Sequence, residues 1–262
     1  MAPGLEIASI LYHDVVDNHK DSGFQRPSAI PYKHTLFEFG QNLDRIAKSP
    51  VTPGLVFDID FARPGRHLLL TFDDGGKSAL YVNDELCKRN WKAHFFITTS
   101  LIGNRTFLDT NGVRYLRSCG HIIGSHSHTH PDIFKDIPFH KMMEEWAISC
   151  DILSQILGNP CITASAPGGD VSAKVLRSAN AAGMRYLFTS DPSLTPHKEG
   201  NCWILGRVCP KAGSSLSRVE EFVQFRGWAR ELMRRRAKVL LRTTLFPLYR
   251  SYIRRTTREW SK

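Results

Sequence analysis

Two short stretches concentrate the residue types that bind cations and move protons. The first is Leu68-Leu69-Leu70-Thr71-Phe72-Asp73-Asp74-Gly75, an apolar run that stops at two adjacent carboxylates and a glycine. If the run is a buried strand, both acids sit at its carboxyl end, where one can ligate a cation and its neighbour can act as a general base. Taken alone, Asp-Asp-Gly also suits an ordinary turn. The second is Gly124-Ser125-His126-Ser127-His128-Thr129-His130-Pro131, which follows another apolar run and carries three alternating histidines. Neutral imidazole is a common ligand of divalent transition metals, and two histidines with one carboxylate leave coordination positions open for water and substrate.

Side chains so far apart in sequence meet only if the fold gathers strand ends. Apolar runs at Ile7–Tyr12, His67–Phe72, Ala93–Thr98, Ile122–Ser125, Tyr186–Thr189 and Trp203–Val208 read as strands. Helical periodicity follows at Phe37–Ala47, Ser78–Arg89, Arg114–Ser118, Lys141–Leu157 and Ser172–Ala182. This alternation predicts a parallel β/α architecture, in which catalytic groups stand on loops leaving the carboxyl ends of strands. The polar, Gly- and Pro-containing stretch Asp14–Tyr32 is predicted to be an irregular loop bordering that face.

Together the two stretches resemble the motifs of the polysaccharide deacetylase, or NodB-homology, family of carbohydrate esterases. Thr71-Phe72-Asp73-Asp74-Gly75 matches the family's TFDDG motif, and His126-Ser127-His128-Thr129-His130 matches its H-[ST]-x-x-H motif. Tyr12-His13-Asp14 resembles the YHxV entry of many members, and Lys92–Ile97 the strand after the first helix. The resemblance spans roughly Ile7 to Val208 and implies an α/β fold, a distorted (β/α)7 TIM-like barrel. By position it implies that Asp74, His126 and His130 hold a divalent metal, zinc first with cobalt or nickel as alternatives, that Asp73 is the base, and that Ser127 supports the loop. The implied reaction is removal of an N-acetyl group from a sugar unit of a polysaccharide or of a lipid-linked or nascent glycan. Water activated by the metal attacks the amide, and the oxyanion is met by the metal and a backbone N–H near the first-motif turn.

Two family positions differ here. The third motif usually offers an arginine to orient the base, but Ala164-Ser165-Ala166-Pro167-Gly168-Gly169-Asp170 has none, which leaves Arg207 as the candidate replacement. The fifth motif usually ends in a histidine serving as general acid, but Trp203–Val208 has none; His13 and His128, and then His197, are the candidates, with His13 put first. Pro167, Gly168, Asp191 and Arg207 are expected to line the substrate side. A hydrolase of another amide or ester, and an inactive glycan-binding homologue, remain open readings of the same residues.

The chain has 262 residues and a formal net charge of +10, almost all of it in the tail, where Arg226 to Lys262 holds twelve Lys/Arg against two Asp/Glu. The expected organisation is a catalytic domain over residues 1–212 and a basic amphipathic segment over 213–262. In that segment Trp228, Leu232, Leu240, Leu241, Phe246 and Tyr249 lie among arginines in one or two helices. Such a segment suits an anionic membrane surface, whereas the absence of any nucleic-acid motif argues against a nucleic-acid partner. No signal peptide and no transmembrane span are expected, which gives a cytoplasmic enzyme held at the inner face of the membrane. Cys87, Cys119, Cys150, Cys161, Cys202 and Cys209 show no zinc-ribbon spacing and are expected to be reduced thiols.

Overall fold

A computed structural model of the chain describes residues 4–169 and 171–244, with side chains described up to Ala237. The strands are β1 (Leu5–Tyr12), β2 (Pro53–Gly54), β3 (Gly65–Phe72), β4 (His94–Ile97), β5 (Ile122–Ser125), β6 (Thr163–Ser165), β7 (Tyr186–Phe188), β8 (His197–Glu199) and β9 (Cys202–Leu205). The helices are α1 (Leu36–Ile46), α2 (Ala79–Cys87), α3 (Thr110–Ser118), α4 (Phe139–Leu157), α5 (Ala173–Ala181), α6 (Leu216–Val223) and α7 (Trp228–Thr244). The sheet runs β1-β3-β4-β5-β6-β7-β9-β8, with β2 appended to β3. All pairs are parallel except β8 with β9.

The sheet curls until the strand after β9 returns to β1. A parallel bridge joins Ile10 to Val208, with Leu11 N donating to Val208 O at 2.8 Å and Val208 N to Ser9 O at 3.1 Å. Below this bridge the gap is filled by the loop before β8, where Ile7 N donates to Leu194 O at 2.7 Å. The architecture is the expected distorted (β/α)7 barrel, and all six predicted strands are present. Two parallel strands are unpredicted: β2 has two residues, and β6 has only three, two of them Thr and Ser, so neither carries an apolar run. Helix α3 starts at Thr110, earlier than predicted, because Asp109 caps it by accepting from Gly112 N at 2.8 Å.

Strand alternation sorts the chain into an axis side and a helix side. Ile7, Leu69, Phe96, Ile122, Phe188 and Leu205 fill the axis, closed from below by Val56 and Ile59. His94 joins that plug to the barrel, accepting from Val56 N at 3.0 Å while its Nδ1 stands 3.0 Å from Leu70 O. Continuing each strand by twos carries polar residues above the apolar layer: Ser9 on β1 and His13 after it, Thr71 on β3 and Asp73 after it, His126 after β5, Ser165 on β6 and Arg207 after β9. The helix side packs Ala8, Ile10, Leu68, Leu70, Phe72 and Phe95 against α1, α2 and α3. Crowding on the axis explains Gly124, where a Cβ would come within 2.5 Å of Thr163 Oγ1 and 2.7 Å of the Phe96 ring.

The segment expected to begin an appendage at residue 213 starts instead as part of the barrel. Helix α6 packs on α1, and Val219, Phe222, Val223, Phe225 and Trp228 belong to the main core. Arg45 meets Glu220 at 3.1 Å and Trp228 Nε1 donates to Phe222 O at 3.0 Å. The apolar spacing of this stretch is what lets it cover α1. Helix α7 follows and extends the basic segment. Phe246, Tyr249 and the remaining tail lie outside the described residues, as do the side chains of Leu240 and Leu241. Among the described residues no helix is long and apolar enough to cross a membrane.

Candidate metal and acid-base site

Asp74, His126 and His130 come together at the carboxyl ends of β3 and β5, with one ligand atom from each lying within 4.8 Å of the others. His126 Nε2 is 3.4 Å and His130 Nε2 3.8 Å from Asp74 Oδ1. The backbone leaves ordinary conformations to achieve this: Asp74, Ser127 and His130 have φ of 77°, 65° and 54°. Positive φ is uncommon outside glycine and concentrates at functional sites. Ser127 secures the turn by accepting from His130 N at 3.1 Å. Glu145 on α4 braces it from outside, its Oε2 accepting from His128 N and Thr129 N at 2.9 and 2.7 Å.

The protonation tendencies of Asp74 and His130 suit a cation. Burial works against charge on Asp74, but a hydrogen bond from His126 and the fields of His13, His126 and His130 prevail and hold its carboxyl well below the usual range. Burial, aided by His126 and Arg26, lowers His130 to about 3, so it is a neutral imidazole. His126 is also buried, yet Asp73 and Asp74 outweigh that and raise it. Its Nδ1 faces Ser165 O at 3.0 Å, which orients the ring with Nε2 toward Asp74. Two imidazoles and an ionised carboxylate fit a divalent metal of intermediate softness.

Asp73 is held differently. Arg207 is 1% exposed and grips both its oxygens, Nη1 to Oδ1 at 2.8 Å and Nη2 to Oδ2 at 2.9 Å. The other guanidinium hydrogens go to Ser165 Oγ at 2.7 Å, Thr71 Oγ1 at 3.3 Å and Thr189 O at 3.1 Å, so all five donors are used. Ser165 Oγ in turn donates to Asp73 Oδ2 at 2.8 Å. Burial alone would raise Asp73, but the Arg207 charge overrides it and keeps the carboxyl below its ordinary value. Arg207 therefore stands behind Asp73. Its expected place on the substrate side is corrected by this burial, while its expected pairing with Asp73 is what the geometry shows.

The three candidate acids are separated by position. His13 continues the axis-facing alternation of β1, its charge acts on both Asp73 and Asp74, its ring packs on Tyr32 at 5.0 Å, and Cys209 Sγ lies 4.0 Å from its Nδ1. His128 turns away, its Nδ1 3.0 Å from Thr99 Oγ1. His197 is exposed on the antiparallel edge strand β8.

At the rim, Pro167 is buried and Gly168 has φ 64° in the turn after β6. Asp191, after β7, is paired with Arg235 of α7 at 2.5 Å instead of standing free in the cleft.

The loop after β1 contributes residues that the sequence did not single out. Buried Asp14 accepts from Ser22 Oγ at 2.6 Å and Ser78 Oγ at 2.8 Å, while buried Lys33 donates to the carbonyls of Ser22 and His19. Gly23 fits against this node only because it lacks a Cβ, which would come within 1.7 Å of Asp14 Oδ2. The loop then lays Phe24 on His130, with ring centroids 5.0 Å apart. Arg26 follows, 4.3 Å over Phe24, with Nη2 3.2 Å from His130 Nδ1 and Nη1 3.2 Å from Asp132. A buried-acid signal was available at Asp14, directly after the first strand, but nothing in the local sequence ties it to Ser22, Lys33 and Ser78.

The fold is shared with known proteins. The sequence model of the polysaccharide deacetylase family matches residues 62–187. A polysaccharide deacetylase from Bacillus cereus superposes with a TM-score of 0.70 at 19% identity, over 84% of this chain and 69% of that one. IcaB from Ammonifex degensii gives 0.67 at 21% identity over 85% and 98%. The Streptococcus pyogenes deacetylase PplD, solved with acetate, gives 0.66 at 16% identity over 84% and 99%. At these identities the superpositions establish the fold. No curated protein sequence matches the chain. The TFDDG and histidine motifs both lie inside the stretch, residues 62–187, that matches the polysaccharide deacetylase model, and the barrel is shared with solved deacetylases.

Proposed function

We propose that the protein is a metal-dependent hydrolase that removes the acetyl group from an N-acetylated sugar of a polysaccharide or of a lipid-linked or nascent glycan. The observation that carries this reading is the convergence of Asp74, His126 and His130 beside a separately held Asp73. A divalent cation bound by those three residues, zinc being the first choice for this donor set, would acidify a water molecule and polarise the acetamido carbonyl. Asp73 accepts the proton of the attacking water. Arg207 and Ser165 keep it ionised and fix its direction, and one lone-pair site of Oδ1 is left for that proton. His13 gives a proton to the departing amine. Phe24 and the loop after β1 cover His130 and limit water at the site.

The test is metal content together with acetate release from a panel of N-acetylated oligosaccharides. About one divalent ion per chain and release of acetate are expected; full metal occupancy without acetate from any sugar overturns the reading. His13→Gln separates the acid from the rest. It is expected to retain metal and to lose about 10²- to 10⁴-fold in deacetylation rate. An activated phenyl acetate, whose leaving group departs without a proton, should be hydrolysed by the variant almost as fast as by the wild type. Equal losses on both substrates would remove His13 from the acid role.

We also propose that the enzyme works in the cytoplasm at the inner face of the membrane, held by the basic tail. Twelve Lys/Arg against two Asp/Glu between Arg226 and Lys262 support this. Each basic residue near an anionic surface contributes on the order of 1 kcal/mol. The full chain is expected to sediment with phosphatidylserine-containing vesicles and not with pure phosphatidylcholine vesicles; sedimentation with neither overturns it.

A further inference from the structure

The basic helix is not remote from the cleft. Helix α7 is braced to α6 by Arg218 with Glu231 and by Arg230 with Glu221. It then reaches the carboxyl-end face of the barrel, where Arg235 Nε meets Asp191 Oδ1 at 2.5 Å and Nη2 donates to Gly169 O. Asp191 and Gly169 belong to the loops leaving β7 and β6, which form the rim beside Ser165 and Asp73. Arg234 and Arg236 project about 100° to either side of Arg235 around the helix, so one flank of this pair borders the mouth. Both are exposed, the Arg234 side chain by 54%.

The acids nearby are already engaged. Arg235 neutralises Asp191, and Glu231 is shared by Arg218 and Arg234. What remains at this edge is a surplus of guanidinium groups, whose planar forks bind phosphate and carboxylate oxygens in pairs.

We propose that α7 forms one wall of the substrate cleft and supplies an anion-binding subsite, so that the preferred substrate carries a phosphate or a carboxylate close to the N-acetyl group. This rests on the deacetylase reading above and narrows its substrate class. Arg235 positions the wall, and whichever of Arg234 and Arg236 lies on the flank at the mouth meets the anion. Screening by salt weakens the preference, because these groups face solvent.

The experiment compares kcat/KM for acetate release from three substrates at low salt: a neutral N-acetylglucosamine oligomer, its phosphorylated counterpart, and an oligomer alternating N-acetylglucosamine with a uronic acid. Wild type is expected to favour one or both anionic substrates over the neutral one by about tenfold, the margin given by one charge-assisted pair. Whichever of the two leads names the source of the anion. In Arg234→Gln/Arg236→Gln the ratio should fall to about one, and added inorganic phosphate should inhibit wild type more strongly than the double variant. A ratio of one in wild type, or an undiminished ratio in the double variant, overturns the subsite while leaving the deacetylase reading intact. If no substrate releases acetate, that reading fails, and calorimetric titration with inorganic phosphate still decides the subsite: equal binding by wild type and double variant removes it.

Discussion

Asp74→Asn is expected to yield a folded barrel that has lost its divalent ion and at least about a thousandfold in acetate release. Asparagine is the informative replacement because it shares with aspartate a tolerance for the left-handed backbone, and Asp74 sits at φ 77°. Alanine would combine loss of the ligand charge with backbone strain. The amide removes only the negative charge that His126 and His130 face at 3.4 and 3.8 Å. Metal content after dialysis, circular dichroism and acetate release measured on one preparation check the result. A variant that keeps both metal and rate would show that the cluster is not the metal site.

Arg207→Met should be the most destabilising single change at the site, by about 3–5 kcal/mol, because it strands a buried carboxylate. Arg207 is buried and uses all five donors, three of them on Asp73 and Ser165. Lysine would restore the charge but offers only three rotating donors in place of a planar fork, so Arg207→Lys should recover part of the stability and little of the rate.

The pH dependence gives an independent check. In the wild type, Asp73 has a folded pKa below its unfolded value, so its contribution to stability is present above the unfolded pKa and is lost as pH falls through the lowered folded value. Without Arg207, burial dominates and raises the carboxyl. The variant then takes up a proton on folding, and the stability gap from wild type should narrow as pH is lowered toward 4, following the ordinary carboxylate range. Chemical denaturation at a series of pH values measures this; a gap independent of pH would mean that Asp73 is not the group left unpaired.

The Asp74-His126-His130 cluster was legible because its residues lie in two contiguous motifs, each ending a strand with a clear apolar run. Arg207 was legible only as a candidate, since its partner is 134 residues away and only barrel closure brings them together. Strand alternation would have strengthened the case: starting from axis-facing Leu205, a step of two reaches Arg207, as a step from Leu69 through Thr71 reaches Asp73. Ser165 was hidden because β6 is too short for a pattern. The Asp14–Lys33 node and the Arg26–His130 contact were hidden because irregular loops carry no periodicity from which a partner can be inferred. Val219, Phe222 and Val223, within the stretch read as a basic segment, pack as core because their spacing gives α6 one apolar face against α1.

The arginine that holds Asp73 follows the barrel's final strand, beyond residue 187, where the family match ends. During synthesis, every length of nascent chain that has passed His130 but stops short of Arg207 carries the whole Asp-His-His cluster without the Arg207 guanidinium that pairs with Asp73. An unfinished or C-terminally clipped chain thus lacks the charge that balances the buried Asp73, whose carboxylate is paired only once the last strand has closed against the first.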